Sequence, residues 1–144
     1  MNNSRIMPKA TNEQTKSKLN MEVVCELEVI SGHMYELKNR TSLSLEGKIK
    51  VVDDMISHVN KTIRAQPLDE KKFAFIFRET NILLEPSQPF EIRKRIWKFY
   101  TQIIQRRSEA LGTLRYALFE LVNKYECKNE EMALKIDFLV GMYI

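Results

Sequence analysis

Six apolar residues, Leu45, Ile49, Val52, Ile56, Val59 and Ile63, succeed one another at alternating steps of four and three. That period belongs to one face of an α-helix and cannot serve a strand, whose side chains alternate every second residue. Ser44 stands where the N-cap of such a helix falls. Gln66-Pro67 stops it, because proline disfavours the α conformation in the residue before it.

The same period recurs along most of the chain. Val23, Val24, Leu27, Ile30, Met34 and Leu37 predict a helix over about 20–38. Phe73, Ile76, Phe77, Thr80, Leu83 and Leu84 predict one over about 68–84, with Asp69 and Glu70 in its first turn, where the helix dipole favours negative charge. A fourth helix starts near Pro89 and carries two adjacent stripes. Ile92, Ile96, Phe99 and Ile103 form one; Trp97, Tyr100 and Ile104 form the other. So wide an arc requires neighbours on two sides. Gly112 is placed to act as a left-handed helix end and Thr113 to cap a fifth helix. Leu114, Ala117, Leu118, Leu121, Val122 and Tyr125 define that helix, and Met132, Ile136, Leu139, Val140 and Tyr143 a sixth that runs to Ile144.

Only four glycines and four prolines interrupt this pattern, so the expected fold class is all-α, with about six helices in antiparallel hairpins. A closed bundle and an open HEAT-like α-solenoid both fit short connections. The wide face of the fourth helix favours the open stack. Residues 1–18 are polar and aperiodic and read as a disordered tail; residues 19–144 read as the helical domain, expected to be the start of a longer solenoid.

Functional motifs are sparse. The chain has no Gly-rich phosphate loop, no GxSxG elbow and no HExxH. His33 and His58 fall on different helices without zinc spacing. Asp53 and Asp54 are neighbours on a helix, so their side chains diverge by about 100°. No catalytic, cofactor-binding or metal-binding residue is expected, and no cofactor. Cys25 reads as a buried thiol, and a bridge to Cys127 is left open. No secretory segment and no apolar run of about 20 residues is present, which makes the cytoplasm the expected address.

The formal charge of +4 comes from 23 basic and 19 acidic residues intermixed along the sequence. Basic clusters at Lys71-Lys72, Arg93-Lys94-Arg95 and Arg106-Arg107, interleaved with Trp97, Phe99 and Tyr100, leave a small nucleic-acid-binding helical protein as an alternative. Those aromatics fall on the apolar arc of their helix, however, and read better as core. A protein-binding scaffold is the leading expectation. A compact bundle that holds an amphipathic helix in a groove is a third possibility.

One family resemblance supports the scaffold reading. Leu83-Leu84-x-Pro86-x-x-Pro89-x-Glu91-x-Arg93, then Leu111-Gly112-x-Leu114-Arg115, Phe119 and Tyr125, resembles the N-terminal HEAT-like helical domain of the tuberin family, over about residues 44–142. The resemblance implies a cytoplasmic scaffold that binds a hamartin-like coiled-coil protein in the regulation of the Rheb GTPase and mTOR signalling. No segment of this sequence corresponds to that family's GTPase-activating domain.

Two sets of residues are expected to meet a partner. Arg93, Lys94, Lys98 and Arg106 would steer an acidic surface. Phe138 and Met142, with Leu134, would form a second apolar face of the sixth helix that nothing covers, so that residues 134–144 self-associate.

Overall fold

The computed structural model describes residues 27–65, 68–106 and 108–143. The proposed tail, the start of the first helix and Cys25 lie outside the described residues. Within them the chain is all-helical. Helix α1 covers 27–39; α2 runs Leu45–Ala65, α3 Glu70–Thr80, α4 Phe90–Arg106, α5 Leu114–Asn123 and α6 Glu130–Tyr143. Single 3-10 turns come after α3 (Asn81–Leu84) and before α5 (Ser108–Leu111).

The helix ends are set by side-chain chemistry. The Ser44 hydroxyl accepts the Gly47 amide at 3.0 Å, and the Asp69 carboxylate accepts the Lys72 amide at 2.9 Å, each satisfying an amide that the helix leaves free. Apolar spacing alone would continue the third helix to Leu84. It tightens after Thr80 because the Thr80 hydroxyl bonds the Ile76 carbonyl and the Asn81 side-chain amide bonds that of Phe77. Polar side chains thus take over the carbonyls at its end. Gly112 does adopt the left-handed conformation, at φ +54°, and a Cβ there would run into the Glu70 carboxylate. Thr113 does not cap α5; its hydroxyl lies 3.4 Å from the same Glu70.

A single apolar cluster runs from Leu27 and Ile30 on α1 to Phe138 and Met142 on α6. All seven residues of the two α4 stripes are buried, and α4 has neighbours on both flanks. Arg95 bonds Asp53 of α2 at 3.0 Å, while Trp97 bonds Glu131 of α6, also at 3.0 Å. Around the helix these positions lie nearly opposite one another, so α4 is held between α2 and α6. The aromatic centre of this layer is Phe77, Trp97, Tyr100 and Phe138, whose rings meet edge-on or tilted at 4.6–6.5 Å. The Tyr100 and Thr80 hydroxyls bond each other inside it at 2.6 Å. In α2 the buried line is Val51, Val52, Met55, Val59 and Ile63. Leu45, expected inside, is exposed, because it opens the helix where few neighbours reach.

Candidate protein interface

Helix α6, EEMALKIDFLVGMY, is apolar over most of its circumference, and two of its four charged residues decide which side turns inward. Glu131 and Lys135 are both buried. The Glu131 carboxylate takes two bonds from the Arg93 guanidinium, at 3.0 and 3.1 Å, and a third from the Trp97 indole N–H. Arg93 also donates to the Gln88 carbonyl ahead of α4. Lys135 donates to the Tyr125 carbonyl at 3.1 Å. Burial opposes the charged form of Glu131, but the Arg93 and Trp97 bonds outweigh it and hold the carboxyl below its ordinary range. Arg115 of α5 closes the other end of α6 by donating to the Met142 carbonyl at 2.7 Å, where a cation suits the helix dipole.

This polar attachment rotates α6 relative to the sequence expectation. Phe138 and Met142, expected to lie uncovered, are 0 % exposed. The residues expected to pack inward are outside: Ile136 is 50 %, Val140 48 % and Tyr143 58 % exposed, with Met132 beside them. Glu131 and Lys135 point a sequence reading the wrong way because charges on a helix normally mark its wet side. Partners 38 and 34 residues away, Arg93 and Trp97, let Glu131 turn in.

The outward residues form one strip. Met132, Ile136, Val140 and Tyr143 succeed one another at steps of four, four and three, which is one helical face. Phe119 of α5 meets Tyr143 edge-on at 6.3 Å, and Tyr116, 74 % exposed, lies one turn before Phe119. The six side chains are each 39–74 % exposed, and apolar residues gathered on one face in this way, rather than scattered singly, mark an interaction surface.

The expected cationic surface does not assemble as a unit. Arg93 is committed to Glu131, and Lys94 pairs with Glu130 at 3.5 Å. Lys98 and Arg106 are exposed, about two turns apart on α4. Trp97, Phe99 and Tyr100 are buried, so they offer no face to a base. His33 and His58, unrelated in sequence, bring their rings to 5.6 Å across α1 and α2. No group of three or more His, Cys, Asp or Glu side chains among the described residues could hold a metal ion. Burial raises the Cys127 thiol above its ordinary pKa. No helix among the described residues is long and apolar enough to cross a membrane.

Several residues of the Leu83–Tyr125 sequence pattern have local structural tasks. Pro89 offers its carbonyl to the first turn of α4, Glu91 and Arg93 form ion pairs, Gly112 makes the left-handed turn, and Arg115 caps α6. No protein-family model, curated protein or solved structure matches the chain.

Proposed function

We propose that this chain is a helical protein-binding scaffold and that its working surface is the α5–α6 strip. The observation that carries this reading is the open apolar face of α6, continued by Tyr116 and Phe119. A helix presenting apolar side chains at four- and three-residue steps packs best against another helix, whose ridges fill its grooves. The occupant is therefore an amphipathic helix. The tuberin resemblance gives it a chemical identity, a hamartin-like coiled coil, and puts the scaffold in Rheb and mTOR regulation. That identity rests on the sequence pattern alone. Stacking beyond α6 in the manner of an α-solenoid would use the same face.

The test is a pull-down of the whole chain with a hamartin coiled coil, repeated with Ile136→Asp/Val140→Asp. Both side chains are half exposed, so the fold tolerates the change. Retention by the original chain and at least a tenfold loss in the variant are expected. Equal retention of both would remove the strip from the interface, and no retention of either at micromolar protein would remove the hamartin-like partner. Should the strip instead join two copies of this chain, light scattering on the chain alone would show a dimer that the double variant abolishes.

A further inference from the structure

A cleft elsewhere in the molecule shares no residue with the α5–α6 strip. It lies where the end of α1 faces the start of α2, the end of α3 and the start of α4, and it encloses about 520 Å³. Its floor is aliphatic, built from Met34, Leu37, Leu83 and Ile92. Lys38, Lys48 and Arg78 also line it, against the single acid Glu79. Among the described residues Glu79 pairs only with Arg78, at 4.0 Å. Among the described residues neither Lys38 nor Lys48 makes an ion pair.

From this juxtaposition of an aliphatic floor and a surplus of cations, we infer that the cleft binds an amphipathic monoanion, an aliphatic chain ending in a carboxylate. Its volume falls within the ~300–1,000 Å³ of small-molecule sites, which are mostly apolar with a few polar groups that fix orientation. Burying a chain on Leu37, Leu83 and Ile92 supplies the hydrophobic gain. The carboxylate then meets Lys48 and Arg78 at the solvent-exposed rim of the cleft, where the cations fix its orientation while the aliphatic floor supplies most of the affinity. A neutral ligand would leave the cationic surplus unused.

Calorimetric titration of the whole chain with decanoate, below its micelle concentration, tests the site, with decanol as the neutral control. Saturable binding of decanoate is expected, at least tenfold tighter than decanol. Lys48→Glu and Arg78→Glu should each weaken it at least tenfold while leaving the melting temperature unchanged, since both side chains reach solvent. Ile82→Trp, at a half-exposed position lining the cleft, should block it. Equal affinity for decanol, unchanged affinity in both charge-reversal variants, or no saturation by decanoate would each overturn the assignment.

Discussion

Glu131 ties α6 to α4 through three hydrogen bonds. With Arg93 and Trp97 it fixes which face of α6 is buried, and both members of the ion pair are largely withdrawn from water. Removing one partner of such a pair strands the other, so Arg93→Ala is expected to cost about 3 kcal/mol or more in chemical denaturation. The carboxyl titrates below its ordinary 4.5, so on acidification the unfolded chain binds the proton first. The stabilisation is therefore complete above about pH 5 and is lost as pH falls through 4.5 toward the lower folded value. A melting series from about pH 6 to pH 3 should show a steeper decline for the original chain than for Glu131→Gln; parallel curves would mean that Glu131 is not held ionised. Trp97→Ala should cost about 3–5 kcal/mol, because it empties a fully buried site as well as removing the indole donor. Gly112→Ala should cost on the order of 1–2 kcal/mol, since it forces a β-carbon into the left-handed region and against Glu70. An unchanged denaturation midpoint in either variant would contradict the local geometry.

At the scale of elements, the helices differ in how far their sequences reveal them. In α4 the two stripes are legible because the apolar arc is continuous and its polar positions all face out or pair at its edges. In α2 the period identifies the helix, but the buried line centres on Val52, Met55 and Val59. Met55 escapes the pattern because it stands outside the regular four-three series. The length of α3 is not legible because hydrogen bonding by Thr80 and Asn81, not apolar spacing, ends it. Helix α6 is legible as a helix and illegible in orientation. Its two faces are about equally apolar, and the choice between them is made by Arg93, Trp97 and the Tyr125 carbonyl, all distant in sequence or in backbone that has no side-chain signature. The expected self-association surface shifts accordingly, from Phe138 and Met142 to Met132, Ile136, Val140 and Tyr143. Phe138→Ala should then lower stability by about 3–5 kcal/mol as a core truncation, whereas Val140→Ser should leave it within about 0.5 kcal/mol. The reverse order in thermal melts would restore the sequence expectation.

At the scale of the whole molecule, α4 is the shared layer between α2 and α6. Six exposed large apolar side chains gather on α5 and α6, whereas Tyr35, Leu45 and Ile82 lie outside that strip, so the proposed partner helix docks on the α5–α6 face. The most direct measurement is a methyl spectrum of the chain labelled at Met, Ile and Val, recorded with and without a hamartin coiled coil. Shifts concentrated at Met132, Ile136 and Val140, with core methyls such as Met55 and Ile96 unmoved, are the predicted result. Shifts that leave those three untouched, or that centre on the α4 surface around Lys98 and Arg106, would contradict docking on the α5–α6 strip.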